Sequence, residues 1–402
     1  MPEDLNHNFD LILRNAHVID PSQNIDGVFD VGVNGGKIAA VGELLAAGSG
    51  ADVRDLSGKY LSPGLIDLHG HWYGGSTFGI DPAICLKTGV TTAVDAGTTG
   101  FLNFGEFRRD RLQTSEVQLL AYLNISAIGI PAAVVGELFD IRYARPKETA
   151  ALIEKHREVL LGVKVRIGER MSGANGKEAL ALSLEAAEAI DVPMMVHFAK
   201  GADTPDILRR LRPGDVITHC YQGRGDTILA DDSVIPEALA ARRNGILFDV
   251  GHGCGSFSFE TAKKAFEYFF LPDTISTDLH RFSVERFAFD MPTTMSKFLH
   301  LGMSLEVVIL KSTWNPAKAI HRDGELGTLR VGTVADIFVF DIEDGEFDFE
   351  DTHCRMEKGS QRIVPSFLVR AGKVIEPSTP KVELRELYEW DQEVFQLIEE
   401  SS

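Results

Sequence analysis

The chain contains no apolar run approaching a membrane span, no CxxC pair among its four cysteines, and no surplus of positive charge. Each absence removes a class of function. Without roughly 18 or more consecutive apolar residues there is no candidate transmembrane helix. The opening MPEDLNHNFD lacks the basic-then-apolar pattern of a secretory leader, so the sequence predicts a cytoplasmic protein. Cys85, Cys220, Cys254 and Cys354 are too scattered for a zinc knot or a disulfide framework, which predicts reduced thiols. Lys plus Arg is 40 against Asp plus Glu 59, a net charge of −19, and a field of that sign repels nucleic acid and anionic membranes. What remains is a small-molecule partner. If that partner is a carboxylate, a local basic group has to override the global field.

What is present is a globular composition, 44% apolar and 25% charged over 402 residues, enough for one large barrel and an accessory unit. Residues 1–61 alternate in short apolar runs, with a hairpin signal at Asn34-Gly35-Gly36. From residue 62 to 326, strand-like runs alternate with amphipathic ones such as Lys177 to Ile190, Pro236 to Arg243 and Phe259 to Phe270, the texture of βα repeats. Eight strands are predicted: Leu65 to His69, Thr91 to Ala96, Gln118 to Ile125, Gly162 to Ile167, Met194 to Phe198, Asp215 to His219, Ile246 to Val250 and Thr274 to Asp278. Eight such units favour a closed (β/α)8 barrel, an α/β fold whose chemistry lies at the strand ends. β-texture returns over 327–380, and a β-unit split between both ends of a chain most simply folds as one domain. Residues 381–402 read as an acidic helical tail.

The central stretch is Pro63 to His71, PGLIDLHGH. Residues i and i+2 on a strand share a face, so His69 and His71 can reach one ion together. Further candidates stand on other strands: Lys164 on the fourth, His197 at the end of the fifth, His219 at the end of the sixth and Asp278 at the end of the eighth. Each has an ordinary reading. A strand-end histidine is often a hydrogen-bonded core residue, Lys164 has Glu169 nearby as a salt-bridge partner, and Asp278 has the chemistry of a helix cap. Taken jointly, donors from separate strands converging at one mouth form a preorganised metal site.

This order, with PGLIDLHGH, GVTTAVDAG, and WNPAKAI followed by GELGTLRVGTVADIFVFD, resembles the amidohydrolase superfamily in its dihydroorotase and deacetylase branch, over about residues 8 to 376. The resemblance implies a TIM barrel with a small β-sandwich formed from both chain ends. It also implies one or two Zn2+ ions: His69 and His71 on the first, His197 and His219 on the second, and Lys164 bridging them as a carbamate made with CO2. Asp278 would coordinate the first ion and carry the proton from the attacking water to the leaving group.

Where dihydroorotases usually carry an arginine two residues after HxH, this chain has Tyr73; HWYGG, HCYQGRGD and GHGCGSF look closer to a deacetylase-like subgroup. The expected reaction is removal of acetyl from a small N- or O-acetylated amino or hydroxy acid. The alternatives are a cyclic-amide hydrolase of dihydroorotase or hydantoinase type, and a non-catalytic barrel scaffold. Position makes Arg166, Arg170, Tyr221, Arg224 and His252 the candidates for substrate contact, an arginine for a carboxylate and Tyr221 or His252 for an oxyanion. Cys220 adjoins His219 on a strand and is expected to face away from it. A homo-oligomer is compatible with the sequence.

Overall fold

The computed structural model describes residues 9–376, so the expected helical tail at 381–402 lies outside the described residues. Seven parallel strands, Leu65–Gly70, Val90–Ala96, Gln118–Asn124, Leu160–Ile167, Met194–Phe198, Val216–Thr218 and Leu247–Phe248, are hydrogen-bonded in chain order. Most are apolar on both faces, as strands buried on both sides require, and Val90–Ala96 is buried at every position. Residues of one parity, among them Ile66, Leu68, Val94, Ala96, Leu120, Tyr122, Met195 and Val216, form an inner cluster with Ala317, Ala319 and Ile320. The opposite parity, including Leu119, Leu123, Val163, Val165, Val196 and Ile217, packs against the surrounding helices.

The predicted eighth strand differs from its neighbours. The Thr274–Leu279 segment closes the ring through single parallel bridges, Asp249 with Thr274 on one side and Gly70 with Leu279 on the other. Backbone bonds hold it on both sides, Val250 N–H to Thr274 O at 3.1 Å and His71 N–H to Leu279 O at 2.9 Å, and side-chain carboxylates add to them. Thr277 donates its N–H to Asp67 at 3.0 Å, while the Thr274 and Ser276 hydroxyls donate to Asp249 at 2.6 and 2.8 Å. The helix predictions land on Gly176–Ala189, Pro236–Arg243 and Phe259–Glu267, the last capped by Ser258, whose hydroxyl accepts from Thr261 N–H. No helix among the described residues is long and apolar enough to cross a membrane.

Strands from both chain ends share one eight-stranded sheet. Tyr60–Pro63 lies between Leu11–Asp20, to which it is parallel, and Ile337–Glu350, to which it is antiparallel. The strands Ile337–Glu350 and Met356–Arg370 make a hairpin longer than their apolar runs suggest. The far end of this hairpin reaches the barrel. Asp351 accepts from Phe259 N–H at 3.0 Å, Thr352 N–H donates to Phe257 O at 3.1 Å, and Glu350 O accepts from Lys297 Nζ at 2.7 Å.

Phe338 and Phe340, stacked at 4.9 Å, carry the sheet's contact into the barrel cluster. Both are fully buried. Phe338→Ala is expected to cost about 3–5 kcal/mol, because the sheet and the barrel wall cannot both collapse into the space. Urea unfolding measures it, and a loss below about 1 kcal/mol would show that this contact does not brace the barrel.

Candidate metal centre at the barrel mouth

The HxH stretch falls where the pairing between the first two strands shifts register, between Asp67 and Gly70, and such irregularities re-aim side chains near functional sites. His69 and His71 both end up buried beside Asp278. The Nε2 atoms of His71 and His69 stand 3.0 and 3.4 Å from Asp278 Oδ1, and one ligand atom from each residue lies within 4.8 Å of the others. The angles do not make these hydrogen bonds, and Oδ1 has no hydrogen-bond partner among the described residues.

The outward nitrogens explain the orientation. His71 Nδ1 lies 2.8 Å from Thr98 Oγ1, whose hydroxyl donates to Asp95 Oδ2 at 2.8 Å. His69 Nδ1 lies 2.8 Å from Thr218 Oγ1, whose hydroxyl donates to Asp249 Oδ2 at 2.8 Å. A hydroxyl that gives its one proton to a carboxylate can only accept from the ring, so each Nδ1 carries the hydrogen and each Nε2 turns a bare lone pair into the mouth. His219 Nδ1 meets Gly251 O at 2.7 Å, and a carbonyl likewise only accepts, so His219 Nε2 has no hydrogen of its own and accepts from His197 Nδ1 at 2.7 Å. His197 Nε2 is buried without a partner among the described residues.

Lys164 is 1% exposed and its Nζ also lacks a partner among the described residues. Glu169, its nearest candidate in sequence, pairs instead with Lys200 at 3.6 Å. Gly97 makes room for the lysine, since a Cβ there would lie 2.4 Å from Lys164 Cβ. Burial lowers the Lys164 ammonium to about 7. Burial likewise pushes His69 and His197 well below the ordinary imidazole range, His71 to about 3 and His219 to about 4. Neutral rings are what a cation requires. The supporting carboxyls of Asp67, Asp95 and Asp249 are raised by their burial, Asp67 to about 7.

Two of the converging residues pay in backbone strain. His219 has φ +67° and Asp278 φ +47°, in the left-handed region that costs non-glycine residues about 1–2 kcal/mol. Gly253 permits the second, because a Cβ there would lie 2.4 Å from Asp278 Oδ2.

The substrate-contact candidates divide. Arg166 reaches the mouth and pairs with Glu137 at 2.6 Å. Arg170 sits half-buried in the turn beyond that strand. Arg224 acts on His353, whose protonation its charge opposes after burial. Tyr221 is a correction: its hydroxyl donates to Phe270 O at 2.8 Å and its ring packs on Phe266 and Phe298, within the helix-facing core. His252 is another, for its Nδ1 lies 3.0 Å from Gly253 O, its Nε2 2.9 Å from Lys297 Nζ, and its ring stacks on Phe257 at 4.5 Å, so neither nitrogen is available to an oxyanion. Tyr73 donates its hydroxyl to Glu106 at 2.8 Å. Cys220 is fully buried, and burial pushes its thiol well up, which removes it as a nucleophile. Sequence reasoning missed Thr98, Thr218, Asp95, Asp249 and Glu137, whereas His280, expected near the mouth from its place just after Asp278, is buried with its ring 6.0 Å from that of His71. The run TTAVDAGTT was visible, but a hydroxyl relay has no spacing rule.

A parallel barrel whose C-terminal mouth gathers neutral imidazoles, an amine and a carboxylate is the architecture of a barrel hydrolase. The chain belongs to the amidohydrolase family, whose model matches residues 60–375. It is 38% identical to a deacetylase of Agrobacterium fabrum over 348 residues, 85% of each chain. It is 31% identical to a deacetylase of Enterococcus faecalis over 374 residues, 91% of this chain and 99% of the relative. Among solved structures it resembles one described as a dihydroorotase, with TM-score 0.85 and 36% identity over 92% of this chain and 99% of that one. It also resembles one described as an adenine deaminase, with TM-score 0.86 and 30% identity over 92% of this chain and all of that one.

Lys164 gives a pH test. Its folded value near 7 lies below the ordinary 10.5, so between them the unfolded chain holds the proton that the folded chain has shed. The penalty for burying the ammonium is complete below 7 and relieved as pH rises toward 10.5, and stability should increase with pH across that span. Chelator-treated, CO2-depleted protein should therefore unfold at higher temperature at pH 9 than at pH 7, by a margin that shrinks in Lys164→Met. An equal margin in the variant would place the titration elsewhere.

Proposed function

We propose that the protein is a zinc-dependent deacetylase acting on a small N- or O-acetylated amino or hydroxy acid. The observation that carries the reading is the set of buried donor atoms with nothing to bond. Lys164 Nζ, His197 Nε2 and Asp278 Oδ1 are each enclosed without a partner among the described residues. Leaving a buried polar atom unsatisfied costs about 1–3 kcal/mol, a cost that a bound cation would offset. The donor set fits zinc: imidazole nitrogens and carboxylate oxygens are its ordinary ligands. His69, His71 and Asp278 would hold one ion and His197 and His219 a second. Lys164 would join them as a carbamate, formed when the neutral amine adds to CO2 and releases a proton.

Bound there, the ions would supply a water of lowered pKa and a Lewis acid for the scissile carbonyl. The chain's own contribution is orientation and proton handling. Thr98 and Thr218 hold the rings of His71 and His69 with their lone pairs inward. Asp278 Oδ1, beside both Nε2 atoms, is placed to take the proton of the attacking water and return it to the leaving nitrogen or oxygen. The walls restrict bulk water, since His69, His71, Lys164 and His219 are 5% exposed or less, Asp278 is 8% exposed and His197 is half-buried.

Acetyl as the acyl group rests on the relatives named deacetylase. A cyclic-amide hydrolase is the second reading, favoured by the likeness to a structure described as a dihydroorotase; relative rates on acetylated 2-hydroxy acids and on dihydropyrimidine rings separate the two. Nothing in the donor set favours a non-catalytic scaffold.

Asp278→Asn tests the mechanism. Asparagine tolerates the left-handed backbone, so the variant should fold and retain its metal by elemental analysis while turnover falls by about 10²–10⁴-fold. Undiminished turnover with metal retained would remove Asp278 from proton transfer.

A further inference from the structure

Beside the six donors, one cation in the mouth is fixed at one edge and left open at the other. Arg166 stands two residues after Lys164 on the strand Leu160–Ile167, on the same face. Its Nη1 donates to Glu137 Oε1 at 2.6 Å, and its side chain is 14% exposed where that of Glu137 is 0%. Glu137 is itself anchored. Asn124 Nδ2 donates to its Oε2 at 3.2 Å, and the Ser126 hydroxyl donates to its main-chain carbonyl at 3.0 Å. Among the described residues the guanidinium makes no other hydrogen bond, which leaves the edge formed by Nε and Nη2. The charge of Arg166 helps to depress His71, His197, His219 and His280, so it faces the imidazoles.

In a chain of net charge −19, a positive group held inside the mouth is a local exception to the field. Arginine presents five N–H donors in a planar fork, and one monodentate bond to Glu137 leaves a bidentate edge matched to a carboxylate. A buried, twice-anchored Glu137 fixes that edge before any ligand arrives, so the ordering cost falls on folding and not on binding. A buried ion pair adds little to stability by itself, which makes placement the better account of this one. We propose that Arg166 binds the carboxylate of the acylated acid through its Nε–Nη2 edge, and that Glu137 is the positioning residue that aims it. This rests on the acylated-acid reading above.

The test uses metal-loaded full-length protein and two substrates, an O-acetylated 2-hydroxy acid and its neutral primary amide. Wild type should prefer the acid. In Glu137→Gln and in Arg166→Gln, KM for the acid should rise at least about tenfold more than KM for the amide, with kcat for the acid moving far less and metal content unchanged. Equal losses on acid and amide, or no preference in wild type, overturn the proposal. Should burial of Glu137 make its variant unstable, Arg166→Gln, at the more exposed member of the pair, carries the comparison alone. Calorimetric binding of lactate as a deacylated probe separates the two layers of inference. If wild type hydrolyses neither substrate yet binds lactate at least about tenfold more tightly than Arg166→Gln does, the reaction assignment fails and the anchor stands; if lactate binding is indifferent to Arg166, the anchor fails.

Discussion

The barrel mouth depends on the two hydroxyl relays, Asp95–Thr98–His71 and Asp249–Thr218–His69. An imidazole has two nitrogens and a rotatable ring, and without a partner on its outer side nothing decides which lone pair faces the centre. A threonine between ring and carboxylate decides it by proton count. One of these carboxylates, Asp249, is itself tied to the closing segment through Thr274 and Ser276, and Asp67, which accepts from His69 N–H, is tied to it through Thr277. Barrel closure and the orientation of His69 thus share one hydrogen-bond network, and a change in either reaches the other.

The same network accounts for what the sequence reveals and what it conceals. His69, His71, Lys164, His197, His219 and Asp278 were legible because strand periodicity and strand ends place them, and their residue types announce their chemistry. The relays were not, since threonine and aspartate in a run such as TTAVDAGTT are equally ordinary in a strand or a turn. The eighth strand was legible as a run and misleading as a ladder, because only single bridges join it to its neighbours and Asp67 and Asp249 take up its Thr277 N–H and its hydroxyls. Tyr221 and His252 were misplaced for a related reason. Both follow a strand end by two residues, but the backbone there turns through φ +67° at His219 and +48° at Gly251, and adjacency in sequence no longer means adjacency at the mouth.

Charge shapes the site as strongly as geometry. Burial leaves the imidazoles without protons and brings the lysine near neutrality, so the mouth holds donors rather than cations. Arg166 is the contrast, a permanent cation kept there by a fully buried partner. A chain acidic overall can in this way present a locally positive face to a small anion while repelling polyanions.

The long C-terminal hairpin lends the barrel its last rim contacts, through Asp351, Thr352 and the carbonyl of Glu350. Its first strand also supplies the neighbour that Tyr60–Pro63 needs. In chain order, Tyr60–Pro63 therefore has only one of its two neighbours until some 270 further residues, between Pro63 and Ile337, have been made. The rim is finished only when the last-made part of the fold swings back to meet the first, so a truncated nascent chain cannot assemble a complete mouth.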